Sequence, residues 1–148
     1  MRGHDITANI MPAHLLFEAP PRQAPSITTI GIGDGGNEIG MGKVLWDIIR
    51  RNIPSGGLVA CRVPTDYLIV AGVSNWGACG LAAGTALLRG HKLGRAFFDV
   101  EGEQELLRIM VERGPLVDGA TGQRTVSVDG LTFEQYVEPL ERIARLIA

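Results

Sequence analysis

Thiols, aromatic rings and histidines are all scarce in this 148-residue chain, and each shortage removes a class of function. Its two cysteines, Cys61 and Cys79, make no disulfide framework. Each sits among apolar neighbours and reads as a small reduced core residue, which points to a reducing compartment, the cytoplasm in the plainest case. Aromatic residues make up only 5%, against a base-stacking surface, and a net charge of −2 supplies no electrostatic footprint for nucleic acid or an anionic membrane. The histidines at 4, 14 and 91 have no ligand spacing, which argues against zinc. No apolar signal core follows Met1. The longest uncharged stretch, residues 67–88, approaches the length of a membrane span. Gly72, Ser74, Asn75 and Gly77 interrupt its first half, so a buried strand, a small-residue turn and a buried helix explain it better.

Glycine, by contrast, is plentiful at 20 residues and follows no period, so it marks turns and close backbone approaches. The chain centres on residues 28–43, T-T-I-G-I-G-D-G-G-N-E-I-G-M-G-K. A β-branched run over 27–32 meets a burst of glycine, and an amphipathic run starts near Met41. That pattern predicts a strand, a tight turn and a helix N-terminus, an arrangement that builds small-molecule sites in α/β proteins.

The rest of the chain is ordered around this unit. Residues 11–19 form a short helical candidate with Pro12 in its first turn and Pro20-Pro21 as its stop, and 23–26 a linker. The spacing predicts a helix over 41–52 with Val44, Leu45, Ile48 and Ile49 inward. A strand over 58–63 and a turn at Pro64-Thr65-Asp66 lead to a strand over 67–73, apolar enough to be covered on both faces. A small-residue helix runs from Ser74 to about Arg89. Residues 91–100 form a loop or short strand, and a helix over 101–113 turns Leu106, Leu107, Met110 and Val111 inward. After a loop over 114–122 come a strand over 124–128, an Asp129-Gly130 turn and a last helix over 132–147, bent or restarted at Pro139. Together these predict one α/β domain, 1–148, with a layered, mostly parallel sheet and helices on both faces.

Several readings of the polar residues compete. Gly31-Ile32-Gly33-Asp34-Gly35-Gly36 fits G-x-G-x-x-G after a strand, which raises dinucleotide binding. Against it, Asp34 and Glu38 put negative charge where a pyrophosphate would lie, and the position for an acidic ribose ligand reads Ala60-Cys61-Arg62. In a second reading Asp34 and Glu38 share proton transfer, amides of Gly35, Gly36 and Gly40 stabilise an oxyanion, and Lys43 holds a carboxylate. Set beside it is a solvated loop whose Asp34 and Asn37 only make turn hydrogen bonds and a helix cap. Ser74 and Asn75 offer polar contacts and Trp76 a wall at the same end of the sheet; the plainer alternative is a capped helix start with Trp76 in the core. A hard cation, Mg or Mn, is compatible with Asp34 and Glu38 plus waters.

The stretch 31–43, followed by Ala71-Gly72-Val73-Ser74-Asn75-Trp76-Gly77, closely resembles the later half of the C-terminal domain of the D-glutamate cyclase family. Cys61, the Asp66 turn and Val128-Asp129-Gly130-Leu131 fit the same pattern. The earlier strands of that domain have no counterpart here, and Tyr136 stands near where many relatives are expected to have histidine. The resemblance implies interconversion of D-glutamate with 5-oxo-D-proline and water by a lyase. Asp34 and Glu38 would be the acid and base, and Gly35, Gly36, Asn37, Lys43, Asp66, Ser74, Asn75 and Trp76 would hold a carboxylate or amino-acid substrate. No cofactor is certain. An open sheet edge invites pairing, so a homo-oligomer is expected.

Overall fold

A computed structural model describes residues 7–18, 27–93 and 97–147. The linker expected at 23–26 and the first six residues lie outside them. The chain divides into two compact units, 1–74 and 75–148.

In the first unit, a 3₁₀ turn (Thr7–Asn9) and a one-turn helix α1 (Leu15–Glu18) precede strand β1 (Ile30–Gly33). The helical candidate at 11–19 is therefore shorter than its sequence suggested. Helix α2 (Trp46–Asn52), helix α3 (Gly56–Val59) and strand β2 (Tyr67–Val70) follow. β1 and β2 pair in parallel, Ile30 with Tyr67 through Gly33 with Val70. The α/β mixture with a parallel pairing is thus present, in a two-stranded sheet.

Three sequence expectations are corrected here. The helix after the glycine loop starts at Trp46 and not near Met41, because residues 40–44 close two tight turns, Lys43 N–H onto Gly40 O and Val44 N–H onto Met41 O. Its inward face is also narrower: Ile49 is 3% exposed, whereas Leu45 is 72% and Ile48 50% exposed. Residues 58–63 are not a strand. Gly56–Val59 turn into a helical hook, and Val63 O instead accepts the N–H groups of Gly40 and Gly42, at 2.9 and 3.2 Å. Finally, β2 stops at Val70 and is not covered on both faces, since Tyr67 and Val70 are exposed.

One close approach holds the loop against the strand pair. A Cβ on Gly31 would lie 2.7 Å from Gly40 Cα, so only glycine fits where these backbones cross. Thr65, buried beside them, accepts from Gly31 N–H (3.1 Å) and donates to Tyr67 O (2.6 Å). Among the described residues of the unit, Met41, Ile49, Val63 and Val73 are the buried apolar ones.

The second unit holds most of helix α4 (Ser74–Leu88), which opens at the last residue of the first unit, with helix α5 (Val100–Arg113), a hairpin of β3 (Ser127–Val128) and β4 (Leu131–Thr132), and helix α6 (Phe133–Ile147). The strand expected at 124–128 is shortened to two residues. Asp129 (φ 53°) and Gly130 (φ 80°) are both left-handed, as a two-residue hairpin turn requires. α6 buries Phe133, Tyr136, Val137 and Leu140, one face at helical spacing. A capping box starts it: Thr132 N–H donates to Gln135 Oε1, and Gln135 N–H to Thr132 Oγ1. The helix continues through Pro139, which gives no N–H to the carbonyl of Gln135. On α5 only Val111 of the four expected inward residues is fully buried, and Leu106 and Met110 are exposed.

Among the described residues, no helix is long and apolar enough to cross a membrane.

Candidate functional site

The carboxyl ends of β1 and β2 carry the two turns singled out in the sequence, and one hydrogen bond joins them. Ser74 N–H donates to Asp34 Oδ2 at 2.6 Å, across forty positions of chain. Asp34 directly follows β1, and Ser74 opens α4, so the carboxylate takes up one of the N–H groups that a helix start leaves without a partner. Asp34 and Ser74 are both half-buried, and Asp34 Oδ1 has no hydrogen bond among the described residues.

Glu38 folds back over the same loop. Its Oε1 accepts the Gly35 N–H at 2.9 Å. Its Oε2 is buried and has no hydrogen-bond partner among the described residues, and a Cβ on Gly33 would meet it at 3.0 Å. A buried carboxylate oxygen without a donor is costly, so a group that supplies a proton or a hydrogen bond there is favoured. Asn37 is exposed, with its amide oxygen near Gly35. Of the three amides considered for an oxyanion, Gly40 N–H is spent on Val63 O and Gly35 N–H on Glu38, which leaves Gly36 (φ 86°).

Lys43 and Asp66 do not join this group. Asp66 immediately precedes β2 and Thr29 immediately precedes β1, so both mark the amino ends of the strands. Asp66 Oδ2 accepts the Thr29 N–H (2.7 Å) and hydroxyl (2.9 Å), and Thr29 Oγ1 accepts the Asp66 N–H at 3.0 Å. The Thr29 N–H and then its hydroxyl hold the Asp66 carboxyl below its ordinary range. Lys43 Nζ donates to Asp66 O at 2.5 Å. Four strand residues, about 13 Å, separate these groups from Asp34 and Ser74.

The dinucleotide reading loses its structural context. G-x-G-x-x-G requires a helix to open on the glycine turn so that a pyrophosphate meets its N-terminus. Here the next helix begins at Trp46, and the Glu38 carboxylate covers the turn.

Asn75 and Trp76 make their bonds within the second unit. Asn75 Nδ2 donates to Tyr136 Oη at 3.1 Å, and Trp76 Nε1 to Tyr136 O at 2.9 Å. Tyr136, 2% exposed, donates its own hydroxyl hydrogen to Glu103 Oε1 at 3.3 Å. Burial raises the Tyr136 phenol above its ordinary range; the Asn75 hydrogen bond opposes this, and the Glu103 charge adds to it. Sequence reasoning overlooked Glu103, because an acid on an amphipathic helix looks like its solvated face. It also overlooked Asp118, 4% exposed, which accepts five hydrogen bonds: from the Ala120 and Thr121 N–H groups, the Thr121 and Ser127 hydroxyls, and the Gly130 N–H. Asp118-Gly119-Ala120-Thr121 is an Asx-turn pattern, the signal that was there to be read.

Cys61 and Cys79 are free and half-buried, so neither is a fully buried core residue. Burial, and then the charge of Glu103, raises the Cys79 thiol. Among the described residues, no three His, Cys, Asp or Glu side chains converge as metal ligands.

Comparison with known proteins places this chain in a family. A family described as D-glutamate cyclase-like, C-terminal, matches residues 1–144. The human protein "D-glutamate cyclase, mitochondrial" is 34% identical over 143 residues, covering 82% of this chain and 23% of the human protein. The chain therefore spans just under a quarter of that relative's length. By the extent of these matches, the chain belongs to the D-glutamate cyclase-like, C-terminal family.

Proposed function

We propose that the chain serves a D-glutamate cyclase-like lyase, interconverting D-glutamate with 5-oxo-D-proline and water. The observation that supports this most is the Ser74 N–H to Asp34 Oδ2 bond. It ties two family motifs together at the carboxyl ends of parallel strands, where open α/β sheets take ligands.

In the forward reaction the substrate amine forms a bond to the γ-carboxyl carbon. The amine proton passes to a base, and the departing hydroxyl takes a proton from an acid and leaves as water. Glu38 through Oε2 and Asp34 through Oδ1 share these transfers, since those oxygens hold no hydrogen bond. The Gly36 N–H meets the developing oxyanion, and the Asn37 amide and Ser74 hydroxyl contact the substrate. Gly35 positions Glu38. Lys43 and Asp66 take no part, because they are bonded to one another at the other end of the strands.

Asp34→Asn tests the reading. The amide oxygen still accepts the Ser74 N–H, so the circular dichroism spectrum stays as it was. Formation of 5-oxo-D-proline, followed by chiral chromatography, falls by about a hundredfold or more. Turnover retained in this variant refutes the assignment. In the same assay a Mg or Mn ion, which would take Asp34, Glu38 and waters, is tested by chelation.

A second reading, a non-catalytic binding or structural half-domain, is favoured by one observation: the engagement of Lys43 removes the lysine expected to hold the substrate carboxylate. Binding of D-glutamate without any turnover by the unmodified protein selects it. In either reading the β1–β2 pair is part of a wider, layered sheet with helices on both faces. Two-stranded parallel sheets with exposed Tyr67 and Val70 call for further cover, and a second copy is the expected one. Free thiols at Cys61 and Cys79 fit the cytoplasm.

A further inference from the structure

The second unit carries an open hollow of about 280 Å³ whose lining has an unusual hydrogen-bond polarity. Its walls are mostly apolar, with Leu107, Met110 and Val128 among them. Asn75, Tyr136 and Glu103 supply polar groups in a directed chain. Asn75 gives an amide hydrogen to Tyr136 Oη, so the phenol proton points on to Glu103 Oε1. What remains for a ligand is mainly acceptor capacity: the Asn75 amide oxygen and Glu103 Oε2, neither of which has a hydrogen bond among the described residues.

Charge points the same way. Among the described residues, every charged side chain of the lining is acidic: Glu103, Asp118 and Asp129. The Asp118 carboxylate is already filled by its five hydrogen bonds. Glu103 is different. Its neighbours on α5, Glu105 and Glu112, both pair with Arg108, while Glu103 enters no ion pair among the described residues. A half-buried carboxylate with one oxygen unspent, at the edge of an apolar hollow, is best satisfied by a cationic donor that also fills the hollow.

We infer that this cavity binds a small organic ammonium ion with an apolar body, its charged end on Glu103 Oε2 and the Asn75 amide oxygen. This goes beyond the cyclase reading and does not depend on it. D-Glutamate, with two carboxylates against one ammonium, is a poor match for a lining whose charges are acidic, and failure of either proposal leaves the other standing.

The test is calorimetric titration of the unmodified full chain with 2-phenylethylamine, 2-phenylethanol and phenylacetate, which share one apolar body and differ in charge. The amine binds about tenfold or more tightly than the alcohol, and phenylacetate more weakly than either. In amide NMR spectra, the amine shifts Asn75, Glu103, Ser127 and Val128. Glu103→Gln keeps an acceptor for the Tyr136 proton and removes the charge, so it abolishes the amine's advantage over the alcohol. Equal binding of amine and alcohol, preference for phenylacetate, no binding by the amine, or amine shifts away from these residues overturns the inference. Should Glu103→Gln not fold, the ranking of the three probes on the unmodified chain decides alone.

Discussion

Asp118 is the residue whose removal the structure lets one price most directly. It is almost fully buried, yet it is an acid, and it ties the 118–122 turn to the β3–β4 hairpin. Oδ1 accepts from Ala120 N (2.9 Å), Thr121 N (2.8 Å) and Thr121 Oγ1 (3.2 Å), and Oδ2 from Ser127 Oγ (2.7 Å) and Gly130 N (2.9 Å). Hydrogen bonds to a charged acceptor contribute about 1.5–3 kcal/mol each, and a plain sum over five would overshoot. Ala120, Thr121 and Gly130 are exposed, so water reclaims their donors once the carboxylate is gone. Asp118→Ala therefore costs on the order of 3–4 kcal/mol. Asp118→Asn costs roughly half of that: its oxygen can serve the Oδ1 donors and Ser127 can rotate to accept, but the Gly130 N–H is left facing an amide NH₂.

The pH dependence separates this account from a simple packing defect. Burial pushes the Asp118 carboxyl up, but the Gly130 N–H, the Ser127 hydroxyl and the Thr121 donors together hold it well below its ordinary range. A carboxyl whose folded pKa is depressed stabilises fully above its unfolded value and loses that contribution as pH falls toward the folded one. The stability gap between the unmodified protein and Asp118→Asn is thus constant near neutrality and narrows from about pH 4 downward. Urea denaturation followed by far-ultraviolet circular dichroism at several pH values measures it. An Asp118→Ala cost below about 1 kcal/mol, or a gap that does not narrow in acid, refutes the reasoning.

Gly31→Ala places a Cβ 2.7 Å from Gly40 Cα and from Ile39 O, and it lowers stability by about 1–3 kcal/mol. Gly80→Ala, in the middle of α4 with open space around it, leaves stability unchanged or raises it by up to about 1 kcal/mol; urea denaturation measures both glycine variants. Tyr136→Phe keeps the ring that packs against Phe133 and removes the hydroxyl between Asn75 and Glu103; it costs about 1 kcal/mol, and ultraviolet titration loses its late-ionising tyrosine. Light scattering of the unmodified chain gives a mass above that of one copy, and a monomer removes the argument from the sheet edge.

How much of the fold could be read in advance depended on what each segment's pattern had to decide. α6 was legible because Phe133, Tyr136, Val137 and Leu140 recur at helical spacing and bury one face. The Asp129-Gly130 hairpin was legible because its turn demands left-handed backbone at both residues. Residues 58–63 were not. Their apolar run satisfies strand and short-helix templates equally, and the outcome turned on the Gly40 and Gly42 N–H groups reaching Val63 O from over twenty positions away. The exposed Leu45 and Ile48 misled for a related reason: a helix of seven residues has room for little buried face, and Ile49 takes it.

The candidate site divides along the same line. That Asp34 and Ser74 share the carboxyl end of the sheet was legible, because each follows a strand and a parallel pairing puts both strand ends together. That Lys43 lies at the other end was not. Its distance in sequence from the glycine loop is short, but the turns over 40–44 carry the chain back along β1, until Lys43 Nζ meets the carbonyl that precedes β2. Motif proximity is thus a poor guide to site membership wherever the motif doubles back, and strand polarity is a better one. By that criterion Asp34, Glu38 and Ser74 stay together as the candidate group, and Asp66, equally acidic and also on a turn, is an anchor for the strand starts.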